Sequence, residues 1–197
     1  MKEKLCASIR EAFDLLEDLD RSLFDAAEDA IPEAGLDPDT IRIIAPEFGP
    51  RKLHEVCLNH RLAIHLSARI AAAQIIEDFD DKMYVDIEFT RLGLEAKVLT
   101  VNGQDKVVRP DIIVHDRNDN PVDGNFLVVE CKKAGCQQQL LDNDAEKIRA
   151  FMNDGRYKYK FGLQVIYKPG QPTGTLFYRD NENQIQTMIV PSRTGPR

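Results

Sequence analysis

The sequence predicts an α/β domain: a central mixed β-sheet flanked by helices, preceded by an N-terminal helical segment. Three observations predict it. Two long stretches near the start repeat apolar residues every three or four positions, the spacing of helices with one buried face. Beyond residue 83 come short apolar runs separated by Gly, Pro and Asn, which read as strands and turns. A polar, helix-forming stretch at 137–152 lies between two of those runs, so helices alternate with strands.

From Lys2 to about Ala30, apolar residues fall at Leu5, Ile9, Phe13, Leu16, Leu19, Leu23 and Ala27. The opposite face holds Glu11, Asp14, Glu17, Asp18 and Asp25, either as the solvated face of a helix packed against the core, or as part of a dimerisation or regulatory arm or a negative surface that discourages non-specific DNA contact. Pro32, Gly35 and Pro38 break this helix, and Pro46, Gly49 and Pro50 form a linker. A second helix is expected from Leu53 to Glu77, with Leu53, Val56, Cys57, Ile64, Ala68, Ala71 and Ile75 inward. Glu55 sits in its first turn, where the helix dipole favours a carboxylate. His54, His60 and His65 do not share a face at ligand spacing and read as surface or satisfied core residues.

Met83 to Thr90 alternates, with Val85, Ile87 and Phe89 one way and Tyr84, Asp86 and Glu88 the other. A turn-rich crossing from Gly93 to Gly103 leads to a strand over Lys106–Val114, and a polar loop then leads to Asn125–Lys133. In the helix that follows, Asp142 or Asp144 could cap the start, and Asp144/Lys147 and Glu146/Arg149 are expected as surface ion pairs. A strand over Leu163–Tyr167 and a hairpin around Asp180-Asn181 complete the sheet.

Composition sets limits. The chain has 197 residues, 43% hydrophobic and 30% charged, which suits one globular domain. No apolar run reaches the roughly 20 residues of a membrane span, and no signal-peptide pattern opens the chain, so a cytoplasmic protein without a membrane partner is expected. Cys6, Cys57, Cys131 and Cys136 form no zinc pattern and read as free thiols. The net charge of −7 is uneven. Residues 1–50 carry 5 Lys/Arg against 13 Asp/Glu, and residues 51–197 carry 21 against 20. The acidity belongs to the leading segment, and the remainder is neutral with local basic concentrations at Lys132-Lys133, Lys147 with Arg149, and Arg156, Lys158 and Lys160.

The chemistry concentrates between Arg109 and Lys133. Asp111 opens one apolar run, and Glu130 and Lys132 close the next. Period two puts Glu130 and Lys132 on one face with Val128, while Leu127, Val129 and Cys131 take the other. Charges in such a run need partners or a metal ion. An edge Glu/Lys pair, worth under about 1 kcal/mol, is one account. A divalent-cation site of hard oxygen ligands, with Lys132 beside it, is the other. The Pro-Asp, the loop and the apolar flanks agree with the second.

Pro110-Asp111 followed by Glu130-Cys131-Lys132 resembles the PD-(D/E)xK nuclease superfamily over roughly Phe48 to Val190. That resemblance implies a restriction-endonuclease-like core at 46–190, with an acidic helical segment at 1–45 before it and a flexible tail at 191–197 after it. It implies a nuclease using Mg²⁺, with Mn²⁺ able to substitute, acting on nucleic acid with DNA first in view. Asp111, Glu130, the Cys131 carbonyl and Glu88 would hold metal, Lys132 would act on water or phosphate, and Glu55 would complete the site. Arg91, Lys133 and Lys147 would contact substrate. The other readings are a catalytically silent binding or scaffold module and an RNA-cleaving enzyme with the same metal site. A homodimer through the first helix, or a larger complex, is the expected assembly.

Overall fold

The structure, a computed structural model, describes residues 1–25, 55–76, 79–89, 91–92, 95–101, 104–117, 124–168 and 172–192. The expected break at Pro32–Pro38, the linker at Pro46–Pro50, Leu53, His54, the loop at 118–123 and the tail from 193 lie outside these residues. The elements are α1 (Lys2–Asp25), α2 (Glu55–Ala72), a one-turn α3 (Phe79–Lys82), β1 (Met83–Ile87), β2 (Arg91–Leu92), β3 (Glu95–Ala96), β4 (Val98–Val101), β5 (Gln104–Val107), β6 (Ile112–Asp116), β7 (Asn125–Lys133), α4 (Gln138–Asn153), β8 (Phe161–Tyr167), β9 (Thr173–Arg179) and β10 (Ile185–Pro191).

Six strands form one mixed sheet in the order β1-β6-β7-β8-β9-β10. Only the β7–β8 pair among them is parallel, and α4 makes the crossover between these strands. The seven residues Asn125 to Cys131 are all buried, as expected of a central strand covered on both faces. The fold class is therefore α/β with a central mixed sheet between helical layers.

Each face of the sheet has its own core. Leu5, Ile9, Phe13 and Leu16 of α1 and Leu58, Leu62, Leu66 and Ile70 of α2 pack with Ile112, Val114, Leu127, Val129 and Cys131. On the other face Ile148, Phe151 and Met152 of α4 meet Ile113, Val128 and Phe177. Gly162 lets α4 approach: a Cβ there would lie 2.1 Å from Ile148 Cγ2. Helix α1 thus supplies part of the first core.

The helical phases differ from the periodic reading. Leu19 is 64% exposed, and Asp20 turns inward instead. In α2, Val56, Cys57, Ile64 and Ala68 face out, while Asn59 and His65 are buried. Polar partners elsewhere explain the change. Asp20 binds Arg61 Nε at 2.6 Å and His65 Nε2 at 2.7 Å, locking α1 to α2. Asn59 Oδ1 accepts the Tyr167 hydroxyl at 3.0 Å.

Two strand boundaries also move. The alternation in β1 stops at Glu88, whose φ of 49° is left-handed, so Phe89 joins the α4-side core instead of following Val85 and Ile87. The expected Lys106–Val114 strand is divided: its first part pairs with β4 in a hairpin, and β6 begins at Ile112. Pro110 lies at that division, where a missing N–H ends ladder pairing.

Candidate active site

The sheet gathers the expected acidic residues at one end. Ile112 pairs with Val129 and Ile113 with Val128, so the next step of this antiparallel register sets Asp111 opposite Glu130. Cross-strand neighbours share a face. Lys132 follows at period two, and α4 crosses above this face. Glu55 arrives from the first turn of α2, which packs on the other face.

Asp111 is fixed by the backbone. Its Oδ2 accepts the Cys131 N–H at 2.7 Å, taking the place of the next ladder bond. Its carbonyl accepts the Glu88 N–H at 2.9 Å, so the turned residue at the end of β1 holds the aspartate's main chain. The Glu88 side chain points its Oε1 to Arg109 Nη2 at 3.4 Å.

Glu130 is 2% exposed and is held by Lys147 of α4, whose Nζ lies 2.7 Å from Oε1 and donates to Oε2 at 2.8 Å. The same ammonium donates to the Arg109 carbonyl at 3.0 Å. Glu130 Oε1 is buried and accepts no well-angled hydrogen bond, although its charge faces the ammonium. Burial pushes the Glu130 carboxyl up to about 8, against Lys147, which favours its ionisation; Asp111 and Asp144 add repulsion.

Lys132 Nζ lies 3.1 Å from Asp144 Oδ2 and 3.9 Å from Glu55 Oε1, and donates to the Cys131 carbonyl at 2.9 Å. Burial alone would lower its pKa, but Asp144, Asp111 and Glu55 outweigh burial and raise it, so the ammonium stays charged. Burial raises the Glu55 carboxyl, with Lys132 opposing and Asp111 reinforcing. Burial likewise raises Asp144, with Lys132 and Lys147 opposing. Burial and neighbouring carboxylates hold the Cys131 thiol well above its ordinary range, so that sulfur is inert.

The expected surface pair Asp144/Lys147 is therefore corrected. Asp144 is buried in the middle of α4 and meets Lys132, while Lys147 meets Glu130. Asp144 caps nothing: the N-cap position is Gln137, without a side-chain cap. Arg149 lies over the Phe177 ring, 5.0 Å from its centroid. The signal for Asp144 was its i, i+3 spacing to Lys147 on the same helix face as buried Ile148 and Phe151. Lys133, half-buried, ends β7 on the face opposite Lys132, near Glu55. Arg91 is described in its backbone alone, as part of β2.

The donors here are hard oxygens, and Glu130 Oε1, buried and facing a cation (the Lys147 ammonium at 2.7 Å) without a well-angled hydrogen bond, is the kind of atom that a hard cation satisfies. In donor chemistry, Asp111, Glu130 and the Cys131 carbonyl fit a divalent ion. Among the described residues, no three His, Cys, Asp or Glu side chains stand in metal-holding geometry. Two lysines lie among the carboxylates instead, one on Glu130 and one on the Cys131 carbonyl. No family model matches the chain, and neither a curated protein nor a solved structure matches it. Among the described residues no helix is long and apolar enough to cross a membrane.

Away from this end, Asp86 of β1 accepts His115 Nε2 at 2.8 Å and Arg117 Nε at 2.9 Å, and Arg117 Nη2 closes on Oδ1. A groove of about 510 Å³ runs beside it, lined by His60, Ile64, Ser67, Val85 and Ile87 among others. Asp86 itself lines this groove, and Glu55, Asp111, Glu130 and Asp144 do not.

Proposed function

We propose that the chain is a divalent-metal-dependent nuclease with a restriction-endonuclease-like core, hydrolysing phosphodiester bonds with DNA as its first expected substrate. The observation that carries this reading is Asp111 set opposite Glu130, with Lys132 two residues along the same strand face and charged among Asp144 and Glu55. Buried charge of this kind costs stability even when paired, so its presence supports a use for it. Two carboxylates about 4 Å apart repel by roughly 4 kcal/mol at an effective dielectric near 20, so the cluster favours cations strongly.

Asp111, Glu130 and the Cys131 carbonyl would hold Mg²⁺, or Mn²⁺ in its place. When bound, the ion would polarise the scissile phosphate and lower the pKa of its water. The chain's own residues do the rest. The Cys131 N–H fixes the Asp111 carboxylate in orientation. Lys132, kept protonated by Asp144, serves as a donor to the attacking water or to charge developing on phosphate. Glu55 completes the cluster from α2, and Glu88 secures the Asp111 backbone. Arg109, with its side chain 58% exposed, is a cation available to the substrate backbone.

A catalytically silent binding module is the second reading, and the hold of Lys147 on Glu130 favours it, because an ion-paired carboxylate is a poorer ligand. The test is cleavage of single- and double-stranded DNA and RNA with Mg²⁺ or Mn²⁺, alongside Asp111→Ala and Lys132→Ala. Each variant should lose at least about 10²-fold in rate while unfolding like the parent. A folded Lys132→Ala protein that cuts as fast as the parent would overturn the assignment. Calorimetry with Mn²⁺ separates the readings, since a silent module gives no heat.

A further inference from the structure

Lys147 was expected to touch substrate, yet its ammonium lies within 2.8 Å of both carboxylate oxygens of Glu130 and also reaches the Arg109 carbonyl. Glu130 is the most deeply buried of the clustered carboxylates, so a cation approaching it meets Lys147 first. The Lys147 side chain is itself 21% exposed, so it has an outward route that the carboxylate lacks. Lys132 is anchored differently, by Asp144 and the Cys131 carbonyl. Among the described residues, the cluster of Glu55, Asp111, Glu130 and Asp144 faces these two ammonium groups, with that of Lys133 near Glu55 as a third. It retains a formal excess of negative charge, enough to accept a dication in exchange for a monocation.

We propose that Lys147 is the resident counter-cation of Glu130, and that a divalent ion binds by exchange, displacing its ammonium toward the bound phosphate. This rests on the nuclease reading and deepens it. Metal loading and the arrival of a substrate-binding cation become one event. Helix α4 carries both halves of the device: Asp144 keeps Lys132 in place, while Lys147, one turn on, is released. The Arg109 carbonyl, freed at the same moment, lies two residues before Asp111, so the exchange is felt on both strands.

The test uses the full-length ¹⁵N-labelled chain and Mg²⁺ alone. An ammonium held on a carboxylate exchanges slowly with water and gives a sharp side-chain ¹H–¹⁵N signal, assigned by its loss in Lys147→Gln. The expected result is a Lys147 signal in the metal-free chain that shifts or vanishes as Mg²⁺ is added. Its midpoint should equal that measured by calorimetry, and the Lys132 signal should persist. Saturation with Mg²⁺ while the Lys147 signal stays unmoved would overturn the exchange; if the protein also cleaves, the nuclease reading survives alone. No Lys147 signal in the metal-free chain overturns it too, because the ammonium is then not held. Neither heat nor any spectral change removes the exchange and the metal dependence together.

Discussion

Asp86 shows how a single side chain sets a measurable property. Burial would raise its carboxyl, but hydrogen bonds from His115 and Arg117 outweigh that and hold it at about 2. An aspartate held below its unfolded value stabilises the folded chain above that unfolded value, near 4, and loses the contribution as pH falls through about 2. Asp86→Asn should therefore flatten the acid limb of a stability-against-pH curve between those values, measured by urea unfolding. With Ile148 Cγ2 2.1 Å from any added Cβ, Gly162→Ala should lift α4 off the sheet and cost about 1–3 kcal/mol. A thermal melt of that variant beside Gly155→Ala, where nothing lies within 4 Å, isolates the steric cost.

At the scale of elements, the contact between α1 and α2 depends on a polar lock as well as on apolar packing. Asp20 serves Arg61 and His65 together, and Ser8 Oγ donates to the Arg69 carbonyl at 3.2 Å one end along. Asp20→Ala leaves His65, only 6% exposed, without that acceptor and should cost about 2 kcal/mol by denaturant unfolding. The Asn59–Tyr167 bond ties α2 to β8 beside Cys131, with Tyr167 Oη also 3.4 Å from the Cys131 sulfur. Asn59 stands one helical turn after Glu55. Tyr167→Phe should therefore loosen Glu55 relative to Lys132 as well as lowering stability by about 1 kcal/mol. A smaller loss of cleavage rate than Lys132→Ala gives, recovered by no added salt, is the expected kinetic result.

For the molecule as a whole, α1 is a structural part of the α/β unit. Leu5, Ile9, Phe13 and Leu16 are all 0% exposed, and each is worth about 1.5–3 kcal/mol of burial. Four such losses rival the roughly 5–15 kcal/mol that keeps an ordinary domain folded. A chain lacking residues 1–25 should show no cooperative unfolding transition. The uneven charge has a consequence at the same scale. With residues 51–197 near neutral and Arg156 paired to Asp154 at 2.6 Å, the chain sets little net positive charge against phosphate, so affinity for nucleic acid should fall only shallowly with salt. A binding titration across salt concentrations checks this.

The three long helices, most strands of the six-stranded sheet and the facing of Glu130 with Lys132 were determined by local periodicity, because a strand turns its side chains over every second residue whatever surrounds it. Helical phase was not. Leu19 and Ile64 look inward by spacing, but Asp20, Asn59 and His65 took buried places because other elements supplied their partners. The same reason governs the site. Asp111 meets Glu130 through the β6–β7 register, and Asp144 and Lys147 reach Lys132 and Glu130 through the path of α4 over the sheet. Those contacts join residues distant along the chain, and a charge's partner is chosen by where the folded backbone brings it. The sequence alone therefore determined which residues carry charge into the sheet, and only the tertiary structure decided which cation each carboxylate holds.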